Sequence, residues 1–201
     1  MSAPTFDLGK LHGGLRLPGN KNLSTAMEIQ HMPIPAQLFL PLTQHVGDQA
    51  HPIVGIGEKV LKGQMIAEAE GSLSAPVHAP SSGQIISIEP WPVSRRFGEK
   101  APCIVLECDG KDEAIESSGT AGSYQSMSAD DLLKEILRGG IVGLGGAVFP
   151  TAQKLMQAIT APLDQLILNG VECEPYISSD DMLMREHAND VLQGALILMH
   201  A

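Results

Sequence analysis

The sequence predicts an α+β chain, a small all-β module followed by an α/β layer. Three observations predict it. Residues 37–109 alternate short β-type runs with turns, and residues 111–127 are rich in Ser, Gly and Glu but poor in apolar side chains. Beyond them the apolar period changes from two to 3.6. Four segments follow: an extended arm over 1–36, a β domain over 37–110, a linker over 111–127 and an α/β region over 128–201.

Within the arm, Gly13, Gly14, Pro18, Gly19, Asn20, Pro33 and Pro35 interrupt any helical or strand period. The arm is expected to lie across a neighbouring surface. Strand-like runs occur at 38–42, around Val60 after the Gly57-Glu58-Lys59 turn, and at 66–69, 84–89 and 104–107; that spacing suggests a small sandwich or barrel. After the linker, Ser128 with Asp131 three residues on resembles a capping box. Leu132, Leu133, Ile136 and Leu137 make one helical face, and Gly139 supplies the stop. A glycine-rich loop, a helix over 151–160, a buried strand over 165–168, a polar loop and a last helix from about Asp180 complete the order. In that last helix Ala188, Val191, Leu192, Ala195 and Met199 form an apolar stripe. It runs to Ala201 without a glycine or proline stop, so the second domain is expected to be cut short.

Composition excludes several function classes. The 201 residues are 43% hydrophobic and 18% charged, which is globular composition, and 21 glycines with 14 prolines exceed the roughly 12% average for the two. Aromatics make only 3%, too few for a base-stacking platform. Lys and Arg number 13 against 23 Asp and Glu, a net −10 that repels phosphate backbones and anionic lipid surfaces. Neither nucleic acid nor bare membrane is the expected partner. Cys103, Cys108 and Cys173 form no CxxC pair and suit a reducing compartment. No apolar run is long enough for a signal peptide or a membrane span, so a soluble, cytosolic chain is expected.

Three segments carry chemistry. Val54-Gly-Ile-Gly-Glu-Lys-Val-Leu-Lys-Gly-Gln64 with Ala75-Pro-Val-His-Ala-Pro-Ser-Ser-Gly83 resembles the biotinyl and lipoyl carrier fold. Gly71-Ser-Leu-Ser74 stands where that fold bears its modified lysine, and no lysine occurs between Lys62 and Lys100, so a barrel-sandwich scaffold without a swinging arm is expected. Gly139-Gly-Ile-Val-Gly-Leu-Gly-Gly-Ala-Val-Phe-Pro-Thr-Ala-Gln-Lys154 runs from a glycine loop into a helix start, where unpaired N–H groups and the helix dipole suit a phosphate. A purely structural turn fits the same residues. No Walker pattern is present, and Val148 stands where a dinucleotide fingerprint needs its third glycine. The third segment, Leu166-Ile-Leu-Asn-Gly-Val-Glu-Cys-Glu-Pro-Tyr-Ile-Ser-Ser-Asp-Asp181, is a strand end opening into an acidic loop, a usual place for a ligand in α/β sheets. Asn169 could hydrogen-bond a flavin edge, and Glu172 and Glu174 could accept from ribose hydroxyls or a carboxamide; the alternative is a solvated face with a helix cap at Asp180 and Asp181. A metal held by Glu172, Cys173 and His187 matches no familiar ligand spacing. His12, His31, His45, His51, His78 and His200 read as surface, turn or end residues; the alternative for His45 and His78 is to hold barrel loops by hydrogen bonds.

Pro41-Leu-Thr-Gln-His-Val-Gly47, Ser74-Ala-Pro-Val-His-Ala-Pro80, the glycine loop, Asn169-Gly-Val-Glu-Cys-Glu-Pro-Tyr176 and Asp180-Asp-Met-Leu-Met-Arg-Glu186, in that order, resemble the C subunits of Rnf (Rsx) ion-translocating electron-transport complexes. The glycine loop and the Asn-x-x-Glu-x-Glu-Pro loop are also similar to the flavin- and NADH-binding subunit of respiratory complex I. The resemblance implies a β barrel-sandwich hybrid followed by the truncated start of an α/β FMN/NADH-binding domain. It implies an NADH-oxidising subunit, with FMN and NADH as cofactors and iron-sulfur clusters in a C-terminal part absent from these residues. Gly143, Gly145 and Gly146 would cradle the FMN phosphate and ribityl chain, Lys154 would add a cation, Asn169 would hold the flavin, and Glu172 and Glu174 would line the nicotinamide side. The chain would sit peripherally on the cytoplasmic face of the membrane against other subunits of its complex. Where the family has glycine, Val148 disfavours a positive φ. These residues alone are expected to bind FMN weakly or not at all and to turn over no NADH. A non-catalytic docking scaffold and a relative of the A subunit of sodium-pumping NADH:quinone reductase are the rival readings.

Overall fold

The computed structural model describes residues 17–94, 98–116, 124–158 and 164–201. In chain order its elements are α1 (Lys21–Ser24), β1 (Gln37–Pro41), β2 (His51–Pro52), β3 (Lys59–Val60), β4 (Met65–Glu68), β5 (Val77–His78), β6 (Gly83–Pro92) and β7 (Lys100–Cys108). A 3₁₀ turn (Tyr124–Ser126) follows, then α2 (Ala129–Arg138), α3 (Thr151–Ala158), α4 (Ser179–Glu186) and α5 (Ala188–His200). By its internal contacts the chain divides into two units. One holds residues 31–166 and 194–201, the other residues up to 30 and 167–193.

The larger unit is built on two antiparallel sheets, ordered β1-β7-β6-β3 and β2-β4-β5. β7 sits between two neighbours and buries side chains on both faces, which explains its run of Cys103, Ile104, Val105 and Leu106 in place of an alternating pattern. Leu40, Leu42, Ile66, Ile85, Ile104 and Leu106 form the centre of the core; each such side chain contributes roughly 1.5–3 kcal/mol by leaving water. β6 and β7 come so close at Gly83 that a Cβ there would run into the Glu107 carbonyl. The stretch from Lys111 to Glu116 is fastened to the barrel: Lys62 pairs with Asp112, and backbone bonds join Lys62 to Glu113 and Ile115. Residues 117–123 of the expected linker and 1–16 of the expected arm lie outside the described residues.

In α2 the Ser128 hydroxyl accepts from the Asp131 N–H, as the capping pattern requires, and also donates to the Asp131 carboxylate at 2.8 Å. Leu132, Leu133 and Ile136 are buried, and α2 packs on α3 around Leu132, Ile136 and Ala152. The left-handed residue that ends α2 is Gly140 (φ +64°), one place beyond the expected stop at Gly139. The helix expected over 151–160 is described to Ala158.

Two expectations fail. Residues 165–168 form no strand, and Leu166, Ile167 and Leu168 are exposed; among the described residues no strand pairs with them, and an apolar run without a ladder partner or cover does not form a buried strand. The single terminal helix is two, α4 and α5, broken at His187. In α5 the expected stripe does not face the core, since Leu192 and Met199 are exposed while Ile197 and Leu198 pack against the α2–α3 cluster. The 3.6 period fixed a helix there but not which stripe would find a surface.

The smaller unit joins the arm to the acidic loop and α4. The Tyr176 N–H donates to the Gly19 carbonyl, the Lys21 ammonium donates to the Ile177 carbonyl at 2.7 Å, and the Ile29 N–H donates to the Glu186 carboxylate. The arm residues from 17 to 30 are thereby strapped along that segment.

Candidate cofactor-binding site

Gly143, Gly145 and Gly146 share one loop of the larger unit, and Lys154 stands exposed on the helix that the loop enters. The loop is a closed structure. Val142 bridges Pro150, the Gly143 N–H donates to the Phe149 carbonyl, and the Val148 N–H donates to the Gly145 carbonyl in a turn. Those bonds leave the N–H groups of Leu144, Gly145, Gly146 and Ala147 without a donor role among the described residues, all four residues being exposed. A run of free amides leading into the N-terminus of α3 is chemically suited to a phosphate or another anion. The donor set therefore fits the phosphate end of a flavin mononucleotide.

Val148 adopts φ +43°, a left-handed conformation that a β-branched residue avoids. Its carbonyl accepts from the Val46 N–H at 3.2 Å, a bond reaching across from the barrel loop over residues 42–50. Between that loop, Val93, Ser94 and Glu99, and residues Gly146, Ala147 and Val148 lies an open cavity of about 1060 Å³. It is large enough for a nucleotide-sized ligand. Glu99 lines it and Lys154 does not, so attraction for an anion there rests on the free amides of Gly146 and Ala147.

His45 is the residue that the sequence undervalued. It is 4% exposed, its Nδ1 lies 3.1 Å from the Val46 carbonyl, and its Nε2 lies 3.0 Å from both the N–H and the carbonyl of Ala75. The neighbouring hairpin is also held from the helical side: the Gln153 amide donates to the Ser74 carbonyl, and a Cβ at Gly140 would stand 2.7 Å from the Pro76 carbonyl. Burial lowers the His78 pKa, opposed in part by its hydrogen bond to the Arg138 carbonyl. The signal that could have found His45 was its place in the Pro41-to-Gly47 motif.

Asn169, Glu172 and Glu174 belong to the smaller unit. Asn169 accepts from the Val171 N–H at 3.2 Å, and Glu174 is exposed. Glu172 is heavily engaged. Its side chain is 3% exposed and accepts from the Asp180 N–H at 2.9 Å, the Ser179 hydroxyl at 3.1 Å and Lys21 at 3.4 Å. Burial raises its pKa, but the hydrogen bonds from Asp180, Ser179 and Lys21 and the Lys21 charge outweigh it and hold the carboxyl below the ordinary glutamate range. It caps the start of α4, the task considered for Asp180 and Asp181. Among the described residues no three His, Cys, Asp or Glu side chains gather around a metal position, so Glu172, Cys173 and His187 make no ligand set.

Residues 9–111, about half the chain, match the family described as RnfC barrel sandwich hybrid domain. The chain belongs to the RnfC family. Residues 136–201 match the Nuo51 FMN-binding domain, so the RnfC barrel-sandwich hybrid is followed by a flavin-domain segment, as the sequence predicts. Similar relatives are the ion-translocating oxidoreductase complex subunits C of Pseudomonas aeruginosa, 46% identical over 93% of this chain and 24% of the relative, and of Haemophilus influenzae, 40% identical over 97% and 24%. That of Rhodobacter capsulatus is 40% identical over 95% of this chain and 37% of its own length. The chain thus spans roughly a quarter to a third of the relatives that it matches. Among the described residues no helix is long and apolar enough to cross a membrane.

Proposed function

We propose that this chain supplies the barrel and the phosphate-binding loop of an FMN-binding, NADH-oxidising subunit in an ion-translocating electron-transport complex. The observation that carries the reading is the run of free amides from Leu144 to Ala147 in the loop that enters α3, within a stretch matching an FMN-binding domain. Gly143, Gly145 and Gly146 keep that backbone open to the phosphate. Lys154 adds a diffuse positive field. In the smaller unit Asn169 and Glu174 remain the candidates for the flavin and the nicotinamide, whereas the Glu172 carboxylate is committed to the start of α4. Bound FMN supplies the chemistry of accepting a hydride and passing electrons on singly. The protein's part is to orient the two rings and exclude water. Iron-sulfur clusters elsewhere in the whole subunit, a peripheral place on the cytoplasmic face and contacts with sister subunits complete the reading.

Titrating the chain with FMN and with riboflavin, followed by flavin fluorescence, tests it. FMN should bind more tightly, because only it carries a phosphate. Lys154→Ala should weaken FMN by about fivefold, a modest loss because the ammonium is exposed. Equal affinities for FMN and riboflavin would refute the phosphate assignment.

A further inference from the structure

We propose that His45 is a positioning residue for the phosphate-binding loop, acting from the barrel through Val46; the inference rests on the FMN reading above. The chain of contacts is continuous. When Nδ1–H donates to the Val46 carbonyl, Nε2 is left to accept the Ala75 N–H, and both ring nitrogens are then used. The ring thereby clamps residue 46 to the hairpin that follows Leu73. The Val46 N–H in turn holds the Val148 carbonyl at 3.2 Å, and Val148 is left-handed. Its own N–H closes the turn on Gly145. Both backbone polar groups of the strained residue are therefore fixed, one locally and one by the barrel. A strained conformation persists only when its surroundings over-determine it. Without the His45 clamp, Val46 loses its fixed position and Val148 relaxes toward negative φ, which turns the preceding peptide, between Ala147 and Val148, and so re-aims the amides of Gly146 and Ala147. A hairpin that carries a swinging lysine in lipoyl-type domains serves here as a rigid anchor.

The test uses the full chain with His45→Phe, which removes both ring hydrogen bonds at similar bulk, and His45→Asn, whose amide can still reach the Val46 carbonyl. Two readouts are needed: amide hydrogen exchange, and FMN against riboflavin affinity. His45→Phe should speed exchange at Val46, Gly143 and Val148 by about tenfold and leave Ile104 to Leu106 of β7 unchanged. FMN affinity should fall by about fivefold, one net hydrogen bond, with riboflavin unaffected, and His45→Asn should recover at least half of both effects. Unchanged exchange at Val46 and Val148, or an equal rise throughout β7, would overturn the proposal. Should His45→Phe fail to fold, His45→Asn decides: slower exchange at Val46 than at Ala75 supports the clamp, and the reverse refutes it. Where the unsubstituted chain is too short a part of the site to hold FMN, exchange alone decides the role of His45; FMN binding that does not distinguish FMN from riboflavin refutes the FMN reading and leaves the exchange result standing.

Discussion

Replacing Val148 by glycine and by alanine gives a test by sign. A left-handed L-residue costs roughly 1–2 kcal/mol, and Val148 at φ +43° is β-branched. Glycine removes that strain but adds about 0.4–1 kcal/mol of unfolded-state entropy. Alanine keeps its Cβ and so most of the strain. Both substitutions lose the same two γ-methyl groups from a half-buried position, and that loss cancels in the comparison. The difference leaves Val148→Gly more stable than Val148→Ala by about 0.5–1 kcal/mol, whereas at an ordinary position alanine is the better residue by a similar amount. Urea denaturation at equal m-values measures it, the expected midpoint difference being about 0.3 M. If Val148→Ala proves the more stable by about 0.5 kcal/mol or more, residue 148 is not left-handed, and the account of the loop fails with it.

Acid should loosen the smaller unit through Glu172. Its folded pKa is lowered, so its contribution is complete above the ordinary glutamate value of about 4.3 and is lost as pH falls through and below that value. Amide exchange in α4 should rise over that range in the unsubstituted chain and be nearly flat in Glu172→Gln; a parallel rise in both would disprove the assignment. Asp109, Asp112 and Asp131 are lowered too, mainly by bonds from the Lys111 N–H, Lys62 and Ser128, but they belong to the larger unit and should weaken its own amides instead. Ser74→Ala removes a buried hydroxyl without a partner among the described residues and keeps the carbonyl that Gln153 uses. Its stability should equal the parent or exceed it by up to about 1 kcal/mol; a clear loss by thermal melting would show that the hydroxyl is bonded.

What was legible in the sequence is what local physics decides. Ser128 and Asp131 read as a cap because the bond between them is three residues long, and the runs in β1, β4 and β7 read as strands because they are short apolar runs bounded by turns. The strand expected over 165–168 failed because a strand is a property of a pair, and Leu166-Ile-Leu168 carries no information about its partner. Leu192 and Met199 failed for the same reason, since periodicity names a stripe and the neighbour selects it. At the candidate site the glycines were legible by composition, and Val148 by the poor match of its side chain to a loop that needs positive φ. His45 was legible only as one of two options, because its use depends on Ala75, thirty residues away.

Glu172 and Val148 show the same design in two places. Each is a non-glycine residue at positive φ, at 54° and 43°, and each is held by a bond to a segment distant in the chain: Glu172 by Lys21, Val148 by Val46 of the barrel loop. Glycine would adopt either conformation freely but would also leave it freely. A residue that must be forced into the left-handed region, and is then pinned by a remote hydrogen bond, makes the loop's shape conditional on the remote segment being in place. The barrel is therefore part of the glycine loop's geometry rather than a separate module beside it. This is why the substitutions that bear on the loop include His45, whose ring lines the same cavity as Gly146 and Val148 and acts through the backbone of Val46.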